Sequence, residues 1–280
     1  MGSREQDIST SRTPLNRRHE AIVDSVRRSG SVRVSELAAG LGVSGMTIRR
    51  DLESLQADGL IEKTHGGARS LDDRSTDEPG FEVKSRRNPD EKKAIAMVAA
   101  DYVQPGTAIG VTAGTTTWQF AYELASVPEL IVVTNSVRVA EILHQFPRPD
   151  RTVILTGGVR TSSDALVGPV ACQALRGLHV DMVFMGVHGM SARAGFTSPN
   201  LGESETNRAF VVASNQLIIL ADHTKWGVTG LSSFAELHDA HTVITDSGLP
   251  AEAQIELEQR NTQVVIADAA PQIRSSSWRQ

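Results

Sequence analysis

Two stretches of this 280-residue sequence carry side chains whose types and spacing could do chemistry. The first is Ser44–Leu60, in which Ile48, Leu52 and Leu55 have the spacing of one buried helix stripe. No acid precedes Asp51 in this stretch. Its first turns carry a hydroxyl and two guanidinium groups, from Thr47, Arg49 and Arg50. Such cations neutralise DNA phosphates and such donors reach base edges, so the pattern predicts a helix that lies in the major groove.

The second stretch is Gly114-Thr115-Thr116-Thr117, which follows an apolar run and opens a predicted helix. Its glycine lets the backbone approach a ligand closely. Free amides at a helix N-terminus, together with several hydroxyls, suit a phosphate or another anion. The alternative is a helix cap without a ligand.

Further polar residues follow other apolar runs of the same half of the chain: Asn135, Ser136, Gly157, Gly158, Asp222 and Lys225. Ligands of parallel sheets bind beyond the carboxyl ends of the strands, so these residues predict one binding site. Lys225 can contact a phosphate as a point charge, and Asp222 can accept hydrogen bonds from sugar hydroxyls. The alternative makes Asp222 a turn cap and Lys225 a solvated side chain.

Catalytic and metal chemistry find little support. Histidines 188, 223, 238 and 241 are scattered, without the spacing of a zinc site. The sequence has no nucleophile elbow, no full P-loop and no dinucleotide fingerprint. We therefore expect no catalytic residues, no metal and no cofactor. The single cysteine, Cys172, excludes an intramolecular disulfide and fits a reducing cytoplasm.

The N-terminal part must position the first stretch. The pattern predicts a helix over 17–28, an extended link over 32–34, and a second helix capped by Ser35. A glycine-containing turn over 40–43 then leads into the helix that Ser44 caps. Two short helices joined in this way form a helix-turn-helix. The following LIEKTHGGARSL contains a Gly-Gly pair between two β-like pieces, which predicts a hairpin wing.

The C-terminal part alternates apolar, β-rich runs with helical stretches. The runs lie at 107–111, 130–134, 152–156, 180–187, 216–221, 241–245 and 263–268. The helices are expected near 116–126, 136–146, 165–177, 203–214 and 250–259. This alternation predicts an α/β domain with a mainly parallel sheet and helices on both faces.

Composition divides the chain into regions. We expect a polar, disordered tail over 1–15, the winged helix-turn-helix over 16–71, and a charged linker with two prolines over 72–90. The α/β domain follows over 91–270, then a tail over 271–280. The net charge of −5 conceals an asymmetry, because residues 1–70 hold 11 basic and 9 acidic side chains, whereas the rest holds 17 and 24. No run of about 18 apolar residues exists, so no membrane span is expected, and the absence of a hydrophobic leader predicts a cytoplasmic protein.

The first half resembles, nearly end to end, the DNA-binding domain of the DeoR-type bacterial transcription regulators. The pieces that carry this resemblance are Val32–Leu37, Leu41–Ser44, Thr47–Leu52 and His65–Ala68. The second half looks like the sensor domain of that family through Glu91–Ala96, Gly114–Thr117, Val133–Ser136, Gly157-Gly158, Asp181–Gly189 and Ala221–Gly227.

The resemblance implies a sensor fold related to phosphosugar isomerases and deaminases such as ribose-5-phosphate isomerase. It also implies that a phosphorylated sugar or similar metabolite binds the sensor and releases the operator. The phosphate would bind the 114–117 loop, with Asn135, Gly157, Asp222 and Lys225 around the sugar. One position departs from the family, because many members carry an aspartate where this chain has Thr112. The absence of that acid argues against isomerase chemistry.

The leading hypothesis is therefore an operator-binding regulator, most simply a repressor of a sugar or carbon metabolism operon. Ser44, Thr47, Arg49 and Arg50 would contact DNA from the helix, and Lys63, His65 and Arg69 from the wing. One such module makes few base contacts, so we expect a homo-oligomer, a dimer or a tetramer. The alternatives are a phosphosugar isomerase or deaminase with a DNA-binding head, and a scaffold that uses its helix-turn-helix for protein contacts.

Overall fold

The chain forms two compact units, Met1–Arg74 and Ser75–Gln280. The computed structural model describes residues 14–29, 31–64, 66–69 and 80–267. The two tails, predicted over 1–15 and 271–280, therefore lie outside the described residues except at Pro14 and Leu15.

The first unit is a small bundle of helices with a three-stranded wing. Its elements are α1 (Pro14–Ser29), β1 (Ser31–Arg33), α2 (Val34–Leu41), α3 (Gly45–Ala57), β2 (Glu62–Thr64) and β3 (Gly67–Arg69). The predicted stripe of α3 is its buried face, because Ile48, Leu52 and Leu55 are completely inaccessible to solvent. They pack with Ile22 and Val26 of α1 in one apolar core. The helix-turn-helix prediction is confirmed.

The wing has one strand more than the sequence indicated. The antiparallel hairpin β2–β3 is present, and β1 pairs with β3 on the other side. Gly67 permits this pairing, since a Cβ there would lie only 1.9 Å from the Val32 carbonyl oxygen. Ser35 does not cap α2 as predicted: the helix begins at Val34, and the Glu36 carboxylate accepts the Arg33 N–H at 3.0 Å.

The second unit is built on a seven-stranded parallel sheet in the order β15-β14-β12-β9-β4-β5-β6. These strands are β4 (Ala108–Val111), β5 (Ile131–Thr134), β6 (Thr152–Leu155), β9 (Met182–Gly186), β12 (Leu217–Leu220), β14 (Ala240–Asp246) and β15 (Gln263–Ala267). The helices are α5 (Pro89–Ala100), α6 (Thr115–Leu124), α7 (Val137–Gln145), α8 (Pro169–Leu175), α9 (Leu201–Val212) and α10 (Ala251–Glu258). The predicted α/β architecture is confirmed.

Apolar side chains fill both faces of this sheet, which explains the continuous apolar runs of its strands. One face packs Ile109 and Val111 against Phe120 of α6. The other packs Val183 and Met185 against Phe210 of α9. No helix among the described residues is long and apolar enough to cross a membrane.

Several short elements differ from the prediction. The linker expected over 72–90 is structured in its second half, where α4 (Phe81–Ser85) forms. The Phe81 ring packs edge-on against that of Trp118, with the two ring centroids 5.6 Å apart. Residues 70–79 lie outside the part that the structure describes. A hairpin of β7 (Val159–Arg160) and β8 (Leu166–Val167) and an antiparallel sheet of β10 (Gly189–Ser191), β11 (Gly195–Ser198) and β13 (Ser232–Ala235) are also additional to the predicted elements.

Candidate DNA-binding and effector sites

The N-terminus of α3 presents the predicted polar face. Ser44 is its N-cap, because its Oγ accepts the Thr47 N–H at 3.2 Å and lies 2.9 Å from Thr47 Oγ1. Arg49 and Arg50 are exposed, and no described residue offers either guanidinium a hydrogen-bond partner. Met46 on the same helix is 60% exposed and was not singled out from the sequence. An apolar side chain beside two exposed arginines suits a thymine methyl next to phosphates or guanine edges.

Asp51 marks the opposite side of the helix. Its carboxylate is buried and accepts Arg18 Nε at 2.6 Å and Arg18 Nη2 at 2.9 Å, with His19 Nε2 at 3.3 Å. The hydrogen bond from Arg18, helped by its charge, holds the pKa of Asp51 below its usual value against the opposing effect of burial. This ion pair fixes α1 to α3 and so sets the orientation of the surface that carries Arg49 and Arg50.

The wing residues are only partly described. Lys63 Nζ bonds Glu53 Oε1 at 2.6 Å, and the Lys63 N–H donates to Gln56 Oε1 at 3.0 Å, so Lys63 ties the wing to α3. Its ammonium would have to leave Glu53 to reach a phosphate. Arg69 contributes backbone to β3, while its side chain and all of His65 lie outside the described residues.

In the second unit, the crevice of the sheet lies between β4 and β9. From this pair, the later strands extend outward in opposite directions, which is the topological switch point where ligands of such sheets bind. Gly114 follows β4 and Gly186 ends β9, and a Cβ at Gly114 would lie 3.8 Å from the Gly186 Cα and 3.1 Å from Thr117 Oγ1. Glycine at both positions lets the two loops approach each other.

The start of α6, residues 114–117, has the donors that the predicted anion site requires, and we call it the anion cradle; binding of an anion there stays a prediction. The first bond within this helix is donated by the Trp118 N–H to the Gly114 carbonyl at 2.9 Å, so the three preceding amides have no intrahelical acceptor. Thr115 and Thr116 are 9% and 6% exposed, and their hydroxyls have no hydrogen-bond partner within residues 80–267. Thr117 differs, because its hydroxyl donates to the Gly114 carbonyl at 3.0 Å.

Asn135 and Ser136 hold the site together from within. Asn135 Oδ1 accepts the Ala113 N–H at 3.0 Å, and its Nδ2 donates to the Leu166 carbonyl at 3.1 Å. Ser136 caps α7 by accepting the Val139 N–H at 3.2 Å. Asn135 therefore positions the loop before Gly114, and contact between its amide and a ligand stays a prediction.

Gly157 and Gly158 have φ angles of 72° and 123°. A Cβ at Gly158 would lie 2.5 Å from the Val167 carbonyl oxygen, so the close β7–β8 hairpin accounts for this glycine without a ligand. Binding of an effector by this pair stays a prediction.

Asp222 is the N-cap of a single 3₁₀ turn, His223–Lys225, that follows β12. It is 1% exposed, and its Oδ1 accepts Asn88 Nδ2 at 2.9 Å, the Thr224 N–H at 3.1 Å and the Thr224 hydroxyl. Burial acts to raise the pKa of Asp222, but the charge of Lys225, the Thr224 hydrogen bond, the charge of Lys92 and the Asn88 hydrogen bond outweigh it and lower the pKa. The carboxylate is ionised and already engaged, whereas Lys225 is half-buried beside it.

Three further groups at this edge of the sheet were not predicted as site residues from the sequence. Lys92 of α5 is 3% exposed, donates to the carbonyls of Lys84 and Arg87 at 2.6 Å each, and has a pKa lowered by burial to about 8. His223 Nδ1 lies 2.7 Å from Asp246 Oδ2, and this contact raises the pKa of the imidazole.

The third group is Glu203, in the first turn of α9. Its carboxylate accepts the hydroxyls of Thr161 at 2.8 Å, Ser198 at 3.3 Å and Ser163. A carboxylate surrounded by three hydroxyls from two other segments has no local sequence signal, because only the fold brings these segments together.

A helix-turn-helix with a wing, joined in one chain to a parallel α/β unit with a crevice at its switch point, is the architecture of a DNA-binding regulator with a sensor domain. Family models agree: residues 18–74 match the DeoR-like helix-turn-helix domain, and residues 87–247 match the DeoR C terminal sensor domain. The chain belongs to the DeoR family of transcription regulators.

Whole-length relatives support this assignment. The uncharacterized regulator YulB of Bacillus subtilis is 36% identical over 88% of this chain and 95% of its own length. The regulator GlpR of Haloferax volcanii is 34% identical over 89% of this chain and 96% of its own length. The transcriptional repressor CsqR of Escherichia coli is 29% identical over 90% of this chain and 95% of its own length. These relatives are transcription regulators, and this chain is a regulator rather than an enzyme.

Among solved structures, ribose 5-phosphate isomerase A from Neisseria gonorrhoeae aligns with 49% of this chain and 53% of its own, at 20% identity and a TM-score of 0.36. A likeness of this size decides neither the ligand nor the chemistry.

Proposed function

We propose that this protein is a repressor that binds operator DNA through α3 and the wing and leaves it when a phosphorylated sugar binds the second unit. The observation that carries the proposal is the division of α3 into two faces. Arg49 and Arg50 are exposed, whereas Ile48 and Leu52 are wholly buried. The apolar face of α3 is therefore anchored in the core of the first unit, and its two guanidinium groups lie on the solvent-exposed face.

The DNA contacts proposed for the helix come from Ser44, Thr47, Arg49 and Arg50. The wing contacts proposed are those of Lys63, His65 and Arg69, with Lys63 exchanging Glu53 for a phosphate. The name of the relative CsqR as a repressor supports the sign of regulation. A short module with few base contacts needs repeated half-sites for specificity, so the proposed DNA-bound species is a homo-oligomer, and its proposed location is the cytoplasm.

The effector site proposed for the second unit is centred on the start of α6. Free amides of Thr115, Thr116 and Thr117 and two unpartnered hydroxyls face an anion there. Lys225 supplies a cation after β12, which is separated from β4 by β9 in the sheet, and Asp222 balances its charge. Gly114, Asn135, Ser136, Gly157, Gly158 and Asp222 complete the proposed site, largely by shaping it.

The proposal is tested first on DNA. Duplexes selected from a random pool by the wild-type protein define the operator, and Arg50→Ala is compared with wild type on the best duplex. We expect a loss of about 1–3 kcal/mol in specific affinity if Arg50 reads a base. Footprinting and titration at two salt concentrations measure it, since phosphate contacts give a salt slope.

Arg193→Ala, at an exposed arginine of the second unit, is the matched control and should bind like wild type. Unchanged affinity and footprint in Arg50→Ala would remove Arg50 from the interface. The effector half is tested by screening phosphorylated metabolites for thermal stabilisation and then for release of the selected duplex. A ligand that stabilises the protein without releasing DNA would contradict the proposed repressor mechanism.

A further inference from the structure

One buried polar atom at the switch point, the hydroxyl oxygen of Thr112, has no hydrogen-bond partner among the described residues. Thr112 directly follows β4, is 1% exposed, and its N–H donates to the Phe184 carbonyl at 3.1 Å. Buried hydroxyls are almost always paired, so an orphan at a ligand crevice calls for a partner from outside the chain.

A second unpartnered polar group lies on the same face of the sheet. Gly110 packs against α9, since a Cβ there would lie 3.1 Å from Cδ1 of Phe210. Thr112 lies two residues further along β4 and so on the same face. Asn207 precedes Phe210 by three residues and therefore lies on the same side of α9. Asn207 is 9% exposed, and its amide has no hydrogen-bond partner among the described residues.

The direction of α9 brings these two groups towards the carboxyl edge of the sheet. The Ala213 carbonyl, just after the end of α9, accepts the Val180 N–H at 2.8 Å, and Val180 precedes β9. The C-terminus of α9 is thus at the amino edge, and its N-terminal turns are at the carboxyl edge. Asn207 is therefore closer to the carboxyl edge than Phe210 is. Thr112 is closer to the same edge than Gly110 is, and the start of α6 also lies at this edge.

We propose that Thr112 and Asn207 form a neutral floor of the effector site, which binds hydroxyl groups of the effector while its phosphate binds the start of α6. This inference rests on the proposed function. A hydroxyl and a carboxamide each donate and accept, so both can pair with alcohols. Glu203 lies four residues before Asn207 on the same helix face and opposes a second negative group. The effector is therefore a phosphate ester whose remaining polar groups are neutral hydroxyls, a sugar or a polyol, as distinct from a phosphorylated carboxylic acid.

Calorimetric titration of the full-length protein with inorganic phosphate and two matched pairs of probes tests this assignment. The pairs are glycerol 3-phosphate with 3-phosphoglycerate, and glucitol 6-phosphate with 6-phosphogluconate. We expect at least one polyol phosphate to bind more tightly than both inorganic phosphate and its matched acid. Acids that bind as tightly as their alcohols, or polyol phosphates no tighter than phosphate, would overturn the neutral floor while leaving the anion cradle intact.

Thr112→Val separates the floor from the cradle, because valine keeps the shape and removes the hydroxyl. We expect it to weaken the polyol phosphate by about five- to tenfold and to leave inorganic phosphate unchanged. Thr112→Ser, the matched control, keeps the hydroxyl and should bind both probes like wild type. Equal weakening of phosphate and polyol phosphate, or no weakening of either, would overturn the role of Thr112.

The unliganded protein supplies an independent readout. Removing a buried hydroxyl that lacks a partner relieves its desolvation cost, so Thr112→Val should raise the melting temperature without ligand. A lower melting temperature would show that Thr112 serves the fold rather than the ligand. Wild-type protein that binds neither phosphate nor any phosphorylated probe would overturn both this inference and the proposed effector site.

Discussion

At the scale of single residues, Asp51 shows how a charged side chain in a candidate DNA-binding helix can serve the fold. Arg18 and His19 hold its carboxylate from α1, whereas Glu53, two residues later, pairs with Lys63 at the surface. The Asp51 side chain is 6% exposed and that of Glu53 is 61% exposed. Ion pairs of such different exposure stabilise a fold to different extents.

We predict that Asp51→Asn lowers the free energy of unfolding of the first unit by about 2 kcal/mol, since charge-assisted hydrogen bonds of a buried group are lost. Glu53→Gln, the exposed counterpart, should cost less than about 1 kcal/mol. All three tryptophans belong to the second unit, so far-ultraviolet circular dichroism reports both units while tryptophan fluorescence reports only the second. If Asp51→Asn shifted the unfolding transition seen by tryptophan fluorescence, the assignment of Asp51 to the stability of the first unit would be contradicted.

The pH dependence of this pair has a definite sign. The pKa of Asp51 is lower in the folded protein than its ordinary value of 3.8. The Asp51 carboxylate therefore contributes fully to the free energy of unfolding above pH 3.8, and this contribution is lost as the pH falls through the folded pKa. The wild-type first unit should therefore lose stability in acid more steeply than Asp51→Asn. Parallel acid profiles for the two proteins would show that Asp51 contributes nothing through its charge.

Single residues were predictable where local chemistry defined them. Thr115, Thr116 and Lys225 lie after strands, and Arg49 and Arg50 lie on the exposed face of one helix, as the sequence predicted. Their contacts with a ligand and with DNA stay predictions. Glu203, Asn207 and the His223–Asp246 pair were not foreseen, because their neighbours come from distant segments. The engagement of Asn135 by Ala113 and Leu166 was equally invisible in the sequence.

At the scale of elements, α4 is the clearest departure from the sequence pattern. Its five residues, FEVKS, carry too few apolar positions to show a period, but Phe81 packs on Trp118 and lies under Arg138 at 4.9 Å. The seven long strands were predictable from apolar runs that a doubly covered sheet requires. The short strands of Gly, Ser and Thr were not, because their pairing partners rather than their composition determine them.

The segment after α4 is fixed directly to the proposed effector site. Asn88 adopts a left-handed backbone with φ of 47°, and its Nδ2 donates to Asp222. The Lys92 ammonium donates hydrogen bonds to the carbonyls of Lys84 and Arg87. The segment also leads back along the chain to the first unit. A ligand that displaces Asn88 from Asp222 would therefore change the constraint on this connection.

We predict that Asn88→Gly uncouples the effector from the operator. Glycine tolerates the left-handed backbone and removes only the amide. The factor by which effector weakens DNA binding, about 5- to 150-fold in typical allosteric proteins, should fall towards one while each ligand alone still binds. Operator titrations with and without effector measure the factor.

Asn261→Gly is the matched control, because Asn261 has φ of 63° at the end of α10 and no side-chain hydrogen bond with a described residue. It should respond like wild type. An unchanged coupling factor in Asn88→Gly would place the transmission elsewhere.

At the scale of the whole molecule, the two units differ in net charge as well as in function. The acidic second unit gives the chain its net charge of −5 and hides the basic excess of residues 1–70. Overall charge was therefore a poor guide to the partner, whereas the helix spacing was a good one. Effector release is a linkage property, because a ligand shifts the equilibrium only if it binds the DNA-incompetent state more tightly.

Lys225→Ala tests that linkage from the effector side. Loss of the ammonium beside Asp222 removes one charged contact to a phosphorylated ligand, so about 10- to 100-fold more effector should be needed for half-maximal operator release. Operator affinity without effector should not change, because the substitution lies in the second unit. Lys93→Ala, at an exposed lysine of α5, is the matched control and should release DNA at the wild-type effector concentration. If Lys225→Ala released the operator at that same concentration, Lys225 would not contact the ligand, and the anion site would consist of the start of α6 without it.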